Sequence, residues 1–355
     1  MATLKVGVLG AGGIAQQHAI GWRDNAPRGE MVAFADVTPS RSQYLSDHYA
    51  GGKAKIYTDI DALLADPNVE AVDICLPHHL HTGAIIAAAK AGKAILCEKP
   101  LCTSLEDSKK IGDVLKETGA VFVMGHNQLF QPTLMEARRL LKSGALGDPY
   151  YLRSIECFQH RGFTAATQGH LVEGESPFAW RADPARMGGG EVLDTGWHAS
   201  YRLLALANDR PIEVSAMTER FFVPNLPSED TGVLLVKFAS GAIGEIVTTW
   251  AFSTIEGWHF EIAAQYGSMA GGRTKLMHQL HGWAQPAVNE TAPVHTFTAE
   301  ITHFLDVVHS GVENMAPFAQ AARVLQLTMG AYRAAAEKTV ISLPENPVEP
   351  GVPAK

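Results

Sequence analysis

The chain has 355 residues, 46% hydrophobic and 19% charged, more than one ordinary hydrophobic core accommodates, so two folded domains are expected rather than a disordered polymer. A formal net charge of −8, with no lysine or arginine cluster, excludes the phosphate-neutralising surface of a nucleic-acid binder. No apolar run approaches about 18 residues and no signal-like leader precedes Leu4, so a cytoplasmic protein without a membrane partner is expected.

In chain order, residues 4–9, 31–35, 71–76, 94–97 and 121–124 read as strands, and 14–23, 40–49, 60–64, 82–91 and 104–117 as the helices between them. This alternation predicts a parallel sheet with covering helices over residues 1–127. Ser104-Leu105-Glu106-Asp107 supplies a side-chain acceptor and acidic residues to a helix start. A helix over 134–141 stops at Lys142-Ser143-Gly144, where glycine provides a left-handed cap.

Residues 150–158, 212–222, 230–238, 242–251 and 260–266 then predict a large open sheet, mainly antiparallel, with a helix over 195–206 beside it. Helices over 299–309 and 318–338 close the second domain, an α+β unit of residues 128–342, before a loosely ordered tail over 343–355. Cys75, Cys97, Cys102 and Cys157 lack metal-ligand spacing and read as buried, reduced thiols.

The run Val6-Gly7-Val8-Leu9-Gly10-Ala11-Gly12-Gly13-Ile14-Ala15 follows a strand and opens a helix. It fits a dinucleotide-binding turn, in which glycines allow close backbone approach to a pyrophosphate at a helix start. Gly10, Gly12, Gly13 and Ile14 are therefore cofactor candidates, and Asp36, at the end of the second strand, is placed to accept from a ribose diol. Asp36 favours NAD; Arg41 leaves NADP possible, since it could clasp a 2′-phosphate or stack on adenine.

Three further segments accompany this turn: Cys75-Leu76-Pro77-His78-His79-Leu80-His81, Glu98-Lys99-Pro100, and Gly188-Gly189-Gly190-Glu191-Val192-Leu193-Asp194-Thr195-Gly196-Trp197-His198. With Gly125-His126-Asn127, they make the chain resemble the Gfo/Idh/MocA family of sugar and cyclitol oxidoreductases along nearly its whole length. The resemblance implies hydride transfer between nicotinamide and a secondary alcohol carbon, a cis proline after Lys99, oligomer contacts through the second domain's sheet as a homodimer or homotetramer, and no metal.

Lys99, Asp194 and His198 are the catalytic candidates. Lys99 offers a compact cation to the reacting oxygen, and His198 a base near neutrality. Asp194, four residues earlier, would share a helix face with His198 and orient it or hold a hydroxyl. Leu76, Pro77, His78, His81, Glu98, Lys99, Asn127, Trp180 and Arg181 complete the cofactor candidates. Phe130, Glu156, Gln159, Arg181, Lys99, Asp194 and His198 are the substrate candidates, with Gln128 and His160 weaker. The histidines at 78, 79 and 81 lack a nearby cysteine or carboxylate set, so no metal is expected there.

Leu129-Phe130 stands where many members carry an arginine, and Tyr201 where an aspartate is frequent. A small neutral polyhydroxylated substrate, a sugar, anhydrosugar or cyclitol, follows. The alternatives are an NADPH-favouring keto-sugar or imine reductase, and an NAD-binding sensor without turnover.

Overall fold

The computed structural model describes residues 2–159, 179–223, 226–255 and 257–354. It begins with β1 (Leu4–Leu9), α1 (Gly13–Asp24), β2 (Gly29–Ala35), α2 (Pro39–Tyr49), β3 (Lys55–Tyr57), α3 (Ile60–Leu64), β4 (Ala71–Ile74), α4 (His81–Lys90), β5 (Ala94–Glu98), α5 (Leu105–Thr118) and β6 (Phe122–Gly125). The six strands form one parallel sheet in the order β3-β2-β1-β4-β5-β6. Helices cover both faces of such a sheet, and β4 and β6 are accordingly buried along their whole length. Strand order reverses between β1 and β4, which places a ligand crevice beyond the carboxyl ends of the strands.

Local chemistry sets the helix limits. Ser104 Oγ accepts the Asp107 N–H at 3.1 Å to start α5, and Gly119, at φ +65°, ends it. Asp59 caps α3 by accepting from the Asp61 and Ala62 N–H groups.

The chain continues through α6 (Pro132–Lys142), β7 (Pro149–Cys157), α7 (Pro184–Met187), α8 (Gly196–Ala207), β8 (Pro211–Glu219), β9 (Thr231–Phe238), β10 (Ile243–Thr249), β11 (Phe260–Ala264), β12 (Gly267–Gly271), β13 (Lys275–Leu280) and β14 (Ala287–Glu290). It ends with α9 (Thr296–Ser310), α10 (Phe318–Glu337), β15 (Ile341–Ser342) and β16 (Val352–Pro353). Ten strands pair in the order β14-β13-β12-β11-β7-β10-β9-β8-β15-β16. All neighbours are antiparallel except β7 and β10, which run parallel because a long connection separates them in sequence. Along β9, Leu234, Val236 and Phe238 are buried whereas Val233 and Leu235 are exposed, the period-two signature of a sheet covered on one face.

Two compact units result. The first comprises described residues 2–127, 179–188 and 295–321; the second holds the described residues of 128–159, 189–294 and 322–354. Helix α9 belongs to the first because it packs on α1: Trp22 meets Phe304 edge-on at 6.0 Å, and Asn25 Nδ2 donates to the Thr298 carbonyl at 3.0 Å.

The tail corrects the expectation of loose order. Gln326 Nε2 donates to the Asn346 and Glu349 carbonyls at 2.8 and 2.9 Å, and β16 pairs with β15. These partners lie far along the chain, so the proline-rich composition gave no sign of them.

Candidate active site

In the first unit, the cofactor candidates cluster at the carboxyl ends of β1, β2, β4, β5 and β6. Gly10 has φ +91°, and a Cβ there would lie 2.5 Å from the Cys75 carbonyl oxygen, so both conformation and space demand glycine. Gly12 opens α1 without a side-chain cap, which leaves backbone N–H groups of Gly13, Ile14 and their neighbours for an anion. Asp36 accepts the Ala11 N–H through Oδ2 and the Thr38 N–H through Oδ1, each at 2.8 Å. Its carboxylate is thereby fixed beside the turn with acceptor capacity remaining for a diol. These features fit a dinucleotide; Arg41 follows in α2, half-buried.

At the ends of β4 and β5, Leu76, Pro77 and Lys99 are half-buried, and the Lys99–Pro100 peptide is cis, as the resemblance implied. His81 is not turned to a ligand. Fully buried, it sets Nδ1 2.7 Å from the Pro100 carbonyl and Nε2 2.8 Å from the Leu76 carbonyl, and a neutral ring donates to one of the two. Burial lowers its basicity, against which the two carbonyl bonds pull upward.

His78 likewise points inward. Its Nδ1 lies 3.0 Å from the Met187 carbonyl, and its ring meets buried Trp180 at 4.5 Å, while the Arg181 guanidinium stacks on that indole at 4.3 Å. Asn127 is buried and donates to Thr296 Oγ1 at 2.9 Å. Glu98 also departs from the expectation of a cofactor ligand: its carboxylate enters a buried group with His18, Asp73 and Glu300.

In the second unit, Asp194 lies in the turn before α8 rather than on the helix, which begins at Gly196 after Thr195. That turn is anchored by buried polar groups. The Tyr332 hydroxyl accepts from the Gly190 and Leu193 N–H groups at 3.0 and 3.2 Å and donates to Glu229 Oε1 at 2.7 Å. Burial, with the neighbouring Glu229 carboxylate, pushes the Tyr332 phenol well above its ordinary value. A Cβ on Gly190 would stand 2.2 Å from the Glu229 carbonyl oxygen, which explains part of the triple glycine. Glu191, fully buried, accepts from the Thr195 and Thr248 hydroxyls, and burial pushes its carboxyl well above the ordinary range.

Half-buried His198 sets Nδ1 2.8 Å from the Tyr201 hydroxyl oxygen, which accepts the Gln128 N–H at 3.2 Å. The Tyr201 hydroxyl thus holds one side of the His198 ring. Glu156 is paired with buried Arg202, whose guanidinium also donates to the Ile155 and His259 carbonyls at 2.9 Å, so its carboxylate is structural. Phe130 is buried, Gln159 is exposed at the end of β7, and His160 lies outside the described residues.

His18, Asp73, Glu191, Glu229, Glu300 and Tyr332 are not singled out by any motif as site residues. The available signal was an ionisable residue at a core position of an apolar pattern, such as Asp73 within Ala71-Val72-Asp73-Ile74.

Comparison with known proteins follows this division. Residues 4–126 match the family model described as an oxidoreductase family with an NAD-binding Rossmann fold, and residues 134–270 match the GFO/IDH/MocA C-terminal domain. The 1,5-anhydro-D-fructose reductase of Ensifer adhaerens is 29% identical over 266 residues, covering 75% of this chain and 74% of that protein. The scyllo-inositol 2-dehydrogenase (NAD(+)) of Bacillus subtilis is 26% identical over 324 residues, 87% of each. A levoglucosan dehydrogenase solved with NADH and levoglucosan shares the fold at TM-score 0.85 and 22% identity, over 97% of this chain and 100% of that one.

Proposed function

The chain belongs to the Gfo/Idh/MocA oxidoreductase family, and from that membership we propose that it is an NAD-dependent dehydrogenase oxidising a secondary hydroxyl of a neutral sugar, anhydrosugar or cyclitol. The observation that carries this reading is Lys99, half-buried at the carboxyl end of β5, within the parallel sheet whose first turn, Gly10 to Ile14, fits a pyrophosphate. Bound NAD would supply the acceptor for the hydride of the alcohol carbon. Asp36 would take the ribose diol, and the start of α1 the pyrophosphate.

Lys99 donates a hydrogen bond to the reacting oxygen and stabilises the negative charge that grows there as the proton leaves. His198 accepts that proton at Nε2, while Tyr201 keeps the ring oriented through Nδ1. Asp194 holds a neighbouring hydroxyl. The products are a ketone, reduced cofactor and one proton. Replacing Lys99 by methionine tests the assignment: turnover falls by at least about 100-fold with NAD affinity preserved, and undiminished turnover refutes it.

Self-association is part of the proposal. Met217, Val233, Leu235 and Ile243 are 82, 40, 51 and 51% exposed on the ten-stranded sheet, and a second copy would cover them, as light scattering can establish. Cytoplasmic residence is supported by four unpaired cysteines.

A further inference from the structure

Within the first unit, the end of β5 is tied to a buried cluster that the proposed chemistry leaves unused. Glu98 Oε2 accepts the Lys99 backbone N–H at 2.9 Å, and Oε1 lies 3.0 Å from His18 Nε2. The other ring nitrogen is 2.9 Å from Asp73 Oδ2, which also accepts the Trp22 indole N–H at 2.7 Å. A carboxylate only accepts, so an imidazole facing one through each nitrogen donates twice and is an imidazolium. Burial pulls the His18 ring toward neutrality, but the charge and hydrogen bond of Asp73, with Cys75, more than reverse this.

Glu300 of α9 faces the same ring. It is fully buried, neither carboxyl oxygen has a hydrogen-bond partner among the described residues, and its ligand atom lies within 4.8 Å of those of His18 and Glu98. Burial pushes its carboxyl well above the ordinary range; His18 opposes this, and Glu98 and Asp73 add to it. As a neutral acid, Glu300 leaves the Nε2 hydrogen to Glu98. As a carboxylate it would compete for that hydrogen, in a site already holding two negative charges against one positive.

We propose that His18 is a positioning residue for Lys99, acting through Glu98. The inference rests on Lys99 being catalytic in the proposed reaction. Asp73 and Trp22 fix the ring, the ring fixes the Glu98 carboxylate, and the carboxylate fixes the main chain that carries Lys99. Displacements below 1 Å at such a group are enough to lower turnover. Because both ring nitrogens face carboxylates, neither offers a lone pair to a metal ion, which separates the cluster from a metal centre.

Nitrogen NMR of histidine-labelled protein and kinetics of His18→Gln test this together. The wild-type ring is expected to carry both protons at neutral pH, and His18→Gln to lower kcat at least about tenfold while the Kd for NAD stays within about threefold. Should that variant not fold, Glu98→Gln replaces it. Its amide oxygen still accepts the Lys99 N–H, but its NH2 only donates, so the ring gives up its Nε2 hydrogen and a weaker neutral bond replaces the charge-assisted one; kcat falls, by less than in His18→Gln, with NAD binding retained.

A neutral wild-type ring, an undiminished kcat in the folded variants, loss of NAD affinity in step with kcat, or a stoichiometric metal in the purified protein would each overturn the inference. Wild-type protein inactive on every polyol contradicts the functional reading instead. The NMR result then decides this one.

Discussion

Gly190→Ala probes the turn that carries Asp194. The new Cβ would lie 2.2 Å from the Glu229 carbonyl oxygen and 2.4 Å from its Oε2. The carbonyl is backbone and cannot swing aside as a side-chain tip can. Overpacking of this kind costs about 1–3 kcal/mol. Shifting Glu229 also weakens its carbonyl's bond from the Glu191 N–H, 3.1 Å, and its carboxylate's bond from Tyr332, 2.7 Å, at about 1 kcal/mol each. The total is roughly 3–5 kcal/mol, or a fall in Tm of about 10 °C for a unit of this size. Gly83→Ala in α4 is the control: beyond its own helix backbone, no atom of the described residues lies within 4 Å of the added Cβ, and helix propensity favours alanine by about 1 kcal/mol. Urea titrations followed by tryptophan fluorescence read both. If Gly190→Ala costs less than about 1 kcal/mol, or Gly83→Ala costs more, the packing argument is wrong.

Asp36→Ala removes the acceptor of the Ala11 and Thr38 N–H groups and of the proposed ribose diol, so calorimetry should show NAD binding weakened about 10–100-fold and the preference over NADP narrowed; unchanged NAD affinity contradicts the assignment. Tyr201→Phe removes the hydroxyl that meets His198 Nδ1 and should lower kcat by about tenfold or more with NAD affinity retained, whereas an unchanged kcat would remove Tyr201 from the account. Glu191 keeps its proton above the ordinary carboxyl value of 4.5, so the folded chain binds a proton that the unfolded chain releases. Its contribution to stability is whole below 4.5 and is lost as pH rises through the folded value. Urea midpoints between about pH 5 and 8 should therefore fall less steeply in Glu191→Gln; parallel slopes would show that Glu191 does not titrate as argued.

The parallel sheet was legible because strand and helix periods alternate cleanly, and because Gly10 and Asp36 each need their residue type for a local reason. Lys99 and the Asp194/His198 spacing stand out in the sequence as motifs, though Asp194 precedes the helix that carries His198. Their supports do not, because Tyr332, Glu229 and Glu300 reach the site elements from positions distant in sequence. His81 and Glu98 were read as ligands for the same reason: position at a strand end says where the backbone lies, not which way a side chain turns. The pairing of β7 with β10 depended on a long crossover that no turn signal marks.

The central claim is tested most directly by screening NAD reduction over neutral sugars, anhydrosugars and inositols with wild-type protein and Lys99→Met side by side. The account predicts substrate-dependent NADH formation by wild type on at least one neutral ring. It also predicts a loss of at least about 100-fold in Lys99→Met, with NAD affinity within about threefold. Tight NAD binding without reduction on any of these compounds, or equal turnover by the two proteins, would contradict it.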